Sequence, residues 1–557
     1  MHILQLYSGQ NLSTGDFVYR IERPAKGLSA LPGVTVKNID LLELPHYDEL
    51  CEWPLLILHH ITDADLLPVL AARKAKGLKT VYELADHFLA SQEHRTEMRS
   101  QGPPDYYWVM TELMRRCDAV QTTGSALKQR YQHLNSNFLI FPNFIDRVRV
   151  RKEDTSSGGT MTIGWGGSLR HAADLQHYAE PLLNWIRAHP DTRLAIMAAP
   201  KIRKLFKALP PEQVRLRQPG SLQDYVRFLD ELDVGIAPLL PTEFNAGRSD
   251  VKYLELASRE VVPVCSRFGP YSTLGTEGEN ILLFDHAAEL IDHLEALRTQ
   301  PAQRRKIARA ARQWIEQTRL ARTEQWQNRA ETYQKWTDGS SGVFRPSHET
   351  RDKNRKHVAQ LLNQALTISD PAKSLSLIKT AARFAPGHYQ AQYFLGWALS
   401  KAGRYPESAQ ELRRALALCP ISVRTVQLLT RVLFLMNDLD GAMTVIEHGL
   451  RIEPLFPTLL TLKGIALQLK NRHREALEVL EACIELDPCI VEAELAYFRS
   501  ARVLGLQSEI EAAAYRLRDL IPDAPEVTVI SAGSSSLDEN ENHESKTGMS
   551  ISSHHNI

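Results

Sequence analysis

A cation and a carboxylate three residues apart, Lys252 and Glu255, stand in the stretch 233–267, DVGIAPLLPTEFNAGRSDVKYLELASREVVPVCSR. On a helix that spacing puts both on one face. There they either form a solvated ion pair or hold a phosphate and a sugar hydroxyl together. Arg248, four residues before the lysine, adds a second cation. A second stretch reads MTIGWGGS over 161–168, with His171 and Asp174 just beyond it. Glycines let backbone approach a phosphate, and a helix N-terminus favours its charge. Gly166, Gly167 and Ser168 are therefore candidate phosphate contacts, although the same run also suits a plain tight turn. His60, in Leu58-His59-His60, and Asp86, in VYELADH over 81–87, are further candidates. Asp63-Ala64-Asp65 has the look of a metal-binding acidic pair. Thr62 and Asp63 fit the N-cap of the helix that follows, so no metal site is expected.

The elements that must position these groups follow from the pattern. Residues 234–239 form a short apolar run suited to a buried strand. A loop with Pro241, Asn245 and Gly247 comes next, and Ser249 or Asp250 caps a helix running to about Glu260. Residues 261–265 make a second strand. Strand, loop, helix, strand is the unit of a parallel sheet, whose ligands sit where strands hand over to helix N-termini. Upstream, strands are expected at 3–7, 55–59, 80–84, 119–122 and 138–141, with helices at 63–76 and 110–116. That alternation predicts an open, doubly wound sheet. The loop 8–15 after the first strand lacks a GxGxxG spacing. Strands at 194–198 and 281–284, a helix at 222–232 and a charged helical region at 301–336 continue a second sheet domain.

The wording of 244–266, with Phe244-Asn245, Ser249-Asp250, KYLE over 252–255 and PV before Ser266, resembles the donor-binding segment of family-4 retaining glycosyltransferases of the GT-B fold. PNFID over 142–146 and IGWGGS over 163–168 are similar to the phrases that close the first domain and open the second. Tyr19, Arg20 and Pro24 resemble the acceptor-side start. The resemblance implies an α/β protein of two Rossmann-like domains, 1–155 on the acceptor side and 156–336 binding a nucleotide sugar. Its last helix would cross back onto the first domain. It implies that Glu255 binds ribose hydroxyls and that Arg248 or Lys252 faces the diphosphate. Ser249 and Tyr225 would join the donor contacts, Tyr225 beside the base, and His60 and Asp86 would face the cleft. No metal or other cofactor is implied beyond the donor itself. One position departs: the family pattern has a glutamate eight residues before the conserved one, and Gly247 stands there. Glu243 is nearby but out of register.

Lysine plus arginine and aspartate plus glutamate both number 66 in 557 residues, which argues against a nucleic-acid binder. No apolar run approaches the ~20 residues of a membrane span, and the opening MHILQLYSGQ reads as strand and loop rather than a signal peptide. The six cysteines, without CxxC spacing, suit buried thiols in a reducing, cytoplasmic setting.

Beyond a polar linker at 337–354, prolines recur at 386, 420, 454, 488 and 522, each step 34 residues (420 − 386 = 34). That is the period of tetratricopeptide (TPR) repeats, predicting an all-α solenoid over 355–524 with degenerate end units. Its groove is expected to take a peptide or partner protein, the alternative being an array that only rigidifies or dimerises the chain. A polar tail, 525–557, is expected to be disordered. The whole reads as a transferase moving a hexose from a nucleotide-diphosphate sugar to a glycan, lipid-linked or protein acceptor. The alternative is a TPR scaffold on a decayed transferase.

Overall fold

The computed structural model describes residues 1–9, 15–87, 105–151, 159–337 and 353–521. Most of loop 8–15, the link 152–158, nearly all of the linker and the tail lie outside the described residues.

The first domain is a parallel sheet of β1 His2–Tyr7, β2 Thr35–Asp40, β3 Leu55–His59, β4 Lys79–Leu84, β5 Ala119–Thr122 and β6 Phe138–Ile140, in the order β2-β1-β3-β4-β5-β6. Successive side chains point to opposite faces, and in a parallel sheet both faces are covered, so the inner strands are largely apolar on both sides. Leu4, Leu6, Leu56, Leu58 and Tyr82 face a core shared with helices Leu66–Ala75 and Tyr106–Arg116. Ile3, Leu55, Ile57 and Val81 face the other way, onto Leu28, Trp326, Ala330 and Tyr333. The last three belong to helix Thr323–Thr337, which packs on the first domain.

The second domain pairs β7 Met161–Gly166, β8 Thr192–Met197, β9 Val214–Arg217, β10 Val234–Ala237, β11 Val262–Ser266 and β12 Leu282–Phe284 in the order β12-β11-β10-β7-β8-β9. Connectivity reverses between β7 and β10. In open α/β sheets the ligand crevice lies at such a switch point, outside the carboxyl ends of the strands. The glycine turn leaves β7 there, and the loop carrying Arg248 leaves β10.

Five helix pairs follow over 353–521, and first helices begin at Tyr389, Val423, Pro457 and Val491, 34 residues apart. The pairs pack closely because small residues sit at the crossings: a Cβ on Gly396 or Gly464 would lie 2.5 Å from the Cγ of Leu412 or Leu480. The first helices face the first domain. Arg355 bonds Glu49, Asn363 bonds Asp40, and Gln427 and Thr458 bond Asp105. One continuous apolar core runs from Leu4 through Trp53 and Leu66 to Tyr389, Leu429 and Ala466. The inward face of the first four repeats, expected to be a groove for a partner, thus seats the chain's own first domain.

Candidate active site

Helix Val251–Ser258 starts beside the switch point and carries Lys252 and Glu255 on one face, as their spacing requires. Lys252 Nζ donates to the carbonyl of Gly166 and to Tyr225 Oη at 2.8 Å, and lies 3.9 Å from Glu255 Oε2. Glu255 is buried and accepts from Tyr225 Oη at 3.2 Å and Tyr19 Oη at 3.3 Å. Tyr19 comes from the first domain, so the carboxylate is bridged from both sides of the cleft. Burial pushes the Glu255 carboxyl up and the Lys252 ammonium down, each opposed by the charge of the other. Ser221 caps helix Leu222–Leu229 through a reciprocal bond with Asp224, which fixes the turn that aims Tyr225 inward. The Tyr225 ring lies so close to Gly166 that a Cβ there would meet it at 2.6 Å.

Arg248 reaches across the cleft. Its Nη1 donates to Asp86 Oδ2 at 2.6 Å and its Nη2 to His171 Nε2. Burial opposes the guanidinium charge, but Asp86, with Asp16 and Tyr271 adding to it, holds the pKa above the ordinary value. His171 Nδ1 lies 2.9 Å from Asp174 Oδ2. Asp174 Oδ1 in turn accepts from Leu240 N at 2.9 Å and Asn245 Nδ2 at 2.7 Å, tying the turn after β7 to the loop after β10. Glu243 pairs with Arg130 of the first domain and approaches His87.

Gly247 is buried at this seam: a Cβ would sit 2.7 Å from His87 Cβ and 3.0 Å from Leu127 Cδ2. The position that carries a glutamate in the resembled family is here closed by the opposite domain.

Residues 172–335 match the glycosyl transferase-like family model. That glycosyl transferase-like region holds Tyr225, Arg248, Lys252 and Glu255, while the glycine turn and Asp86 precede it. Residues 457–488 match a tetratricopeptide repeat model. No curated protein matches the chain. Among solved structures, Anabaena Alr3699/HepE in complex with UDP and glucose is 14% identical, over 60% of this chain and 100% of that one, with a TM-score of 0.46. A glycosyltransferase from Rickettsia africae is 12% identical over 61% and 99%, with a TM-score of 0.44. Pseudomonas aeruginosa pilF is 18% identical over 37% and 89%, with a TM-score of 0.29.

The structure brings Arg248, Lys252, Glu255, Tyr225, Gly166 and Asp86 of the sequence-predicted set together. Gly167 lies beside them, but its amide donates to the Met197 carbonyl at 3.2 Å and is spent within the sheet. Ser168 opens the short helix Leu169–His171. Ser249 is partly buried beside Arg248, and Asp250 takes the N-cap position without capping, its carboxylate pairing with Arg319 at 2.9 Å. His60 lies at the end of β3, at the first sheet's own switch point, with φ 50°, and reaches toward Tyr106 Oη at 3.5 Å.

Asp63 closes the turn that leads into the helix: its Oδ1 accepts from Asp65 N at 3.0 Å and its carbonyl from Leu66 N at 3.1 Å, although the helix proper begins at Leu66. Its carboxylate also accepts from Tyr47 Oη at 2.8 Å and pairs with Arg424 of the repeats at 3.0 Å. Asp65 likewise accepts from Tyr389 Oη at 2.7 Å and Ser422 Oγ at 3.0 Å. Among the described residues no group of three His, Cys, Asp or Glu side chains is placed to hold a metal, and no helix is long and apolar enough to cross a membrane.

Sequence reasoning missed Tyr19 as a partner of Glu255 and His171 as a partner of Arg248. The pattern HxxD at 171–174 after a glycine turn was the available signal for the second.

Proposed function

We propose that the chain is a glycosyltransferase taking a nucleotide-diphosphate sugar in the cleft between its two sheet domains. The observation that carries this is the convergence of Arg248, Lys252 and Glu255 on the glycine turn at the switch point of the second sheet. Two cations there stabilise the charge that develops on a leaving diphosphate, and fixed charges in a site shielded from water are the largest single source of rate enhancement in many enzymes. Glu255 orients the ribose hydroxyls, exchanging its two tyrosine bonds for them. Tyr225, already against Gly166, lies at the donor's base side. Asp86 faces the reacting sugar from the first domain once Arg248 has turned to the diphosphate. The hexose passes with retention to a glycan, lipid-linked or protein acceptor entering beside the first domain, in the manner of the family-4 enzymes the sequence resembles. The repeats present or recruit that acceptor or a partner protein from the surfaces left free by the docked first domain.

A thermal-shift panel of UDP, GDP, ADP and their sugars tests the reading. One nucleotide is expected to raise the melting temperature, by a shift that grows with concentration as mass action requires and is lost in Glu255→Ala. Lys252→Ala is expected to reduce donor turnover about 100-fold, on the scale of losing one preorganised donor, with a far smaller loss of folding stability. Turnover equal to wild type would remove Lys252 from the site.

A second reading, a scaffold on a decayed transferase, draws on Gly247. Its Cβ position is filled by His87 and Leu127, so the missing carboxylate cannot be supplied from there. No shift with any nucleotide from folded protein would favour it.

A further inference from the structure

His171 is not among the groups expected to meet a donor, yet it is well buried, with a side-chain exposure of 14%, and makes two specific bonds. Its Nδ1 faces a carboxylate oxygen of Asp174, which accepts only, so Nδ1 carries the proton. Its Nε2 faces Arg248 Nη2, which donates only, so Nε2 must be a bare lone pair. The two contacts together allow a single state of the ring: neutral, with the proton on Nδ1. Burial, with Arg248 and Lys252 nearby, holds the imidazole below its ordinary pKa against the pull of Asp174.

The carboxylate that sets this tautomer is itself held. Asp174 Oδ1 takes the Leu240 amide and the Asn245 side chain, both from the loop that delivers Arg248. The imidazole is therefore braced against the loop whose arginine it holds. Arg248 is hydrogen-bonded to each domain, to Asp86 of the first and His171 of the second, and its guanidinium also lies 4.9 Å from the centroid of the Phe244 ring. When a diphosphate enters, an anion competes for the guanidinium. The Asp86 bond is the one it replaces, because a second anion duplicates what a carboxylate offers. A neutral acceptor does not compete with it.

We propose that His171, oriented by Asp174, is the positioning residue that keeps Arg248 over the glycine turn of the second domain and lets it exchange Asp86 for the donor's diphosphate. The assignment rests on the donor reading above, and deepens it by naming the group that makes Arg248 a specific diphosphate ligand. His171 acts through Arg248 and does not itself touch the donor.

Inorganic pyrophosphate, which carries the diphosphate without base or sugar, is the probe, titrated by calorimetry into the full-length protein. His171→Ala is expected to weaken its binding about tenfold or more, the scale of a lost hydrogen bond to a charged group. Arg248→Ala should weaken it at least as much, and the double variant no further than Arg248→Ala alone. His171→Gln, which restores an acceptor oxygen near the Nε2 position, should recover most of the loss. Additive losses in the double variant, or wild-type binding in His171→Ala, would overturn the proposal. Nitrogen NMR of the wild-type imidazole gives a readout that needs no variant to fold: the Nδ1–H tautomer is expected at pH 7.5, and the Nε2–H tautomer or an imidazolium would refute it. If wild-type protein binds neither pyrophosphate nor any nucleotide, the donor reading fails first and this proposal with it. Intact binding with an unaffected His171 variant removes the positioning role alone.

Discussion

At Gly247 a side chain has nowhere to go, since its Cβ would lie 2.7 Å from His87 Cβ. Gly247→Glu, which places here the carboxylate of the family that the sequence resembles, is therefore expected to destabilise by about 1–3 kcal/mol through overpacking. Urea unfolding reads the loss, and donor turnover should fall rather than rise. His87 beneath it is held neutral: burial and Arg130 push its pKa down to about 4. The folded value lies below the unfolded one of ~6.5, so the unfolded chain takes up a proton first as pH drops. Stability from this group is complete above about pH 6.5 and is lost as pH falls toward about 4. His87→Asn should flatten the pH dependence of the unfolding free energy in that window by up to ~1.4 kcal/mol per pH unit, the weight of one proton. At this scale the sequence was readable where partners are local. Lys252 and Glu255 three apart on a helix need no tertiary knowledge. Tyr19 against Glu255, 236 residues apart, and Asp86 against Arg248, 162 apart, depend on how two domains close, which no spacing encodes.

Elements were legible where apolar runs are continuous. β3, LLILH, and β11, VPVCS, are buried throughout and stood out. β2, TVKNID, and β9, VRLR, did not. Both are edge strands, partly exposed, and a half-solvated edge tolerates polar residues that erase the apolar run. The crossing of helix Thr323–Thr337 is held by a polar pin as well as by tryptophan packing. Tyr333 Oη donates to Gln121 Oε1 at 2.6 Å and accepts from Arg329 Nε at 3.0 Å, while Gln121 Nε2 donates to Glu83. Arg20 closes the chain on Glu83 at 2.7 Å. Tyr333→Phe removes one hydroxyl and leaves a buried acceptor and a buried donor unmatched. The expected cost is about 1–3 kcal/mol, read by urea unfolding. A cost near zero would mean that packing alone seats the helix.

The 34-residue proline period announced the repeats, but not that they fold against the chain's own first domain. Asp65 and Arg424 are 359 residues apart, and the acidic pair that looks like a metal site is spent on that junction. A buried ion pair contributes little net stability when complete but is costly to break, because the partner is left charged and unsolvated. Burial raises the Asp63 carboxyl, with Arg424 opposing the shift, so loss of the arginine leaves a buried carboxyl without its countercharge. Arg424→Ala should therefore cost about 3–5 kcal/mol. Because one apolar core runs through both partners, the wild-type first domain and repeats should melt together in calorimetry. In Arg424→Ala the junction weakens more than either half, and the shared transition should split, the repeats parting from the sheet domain. A variant that merely melts earlier in a single transition would show that the apolar contacts around Tyr389 and Phe456 hold the array without the ionic centre. Either result decides whether the repeats form one cooperative unit with the two sheet domains or a separable arm beside them.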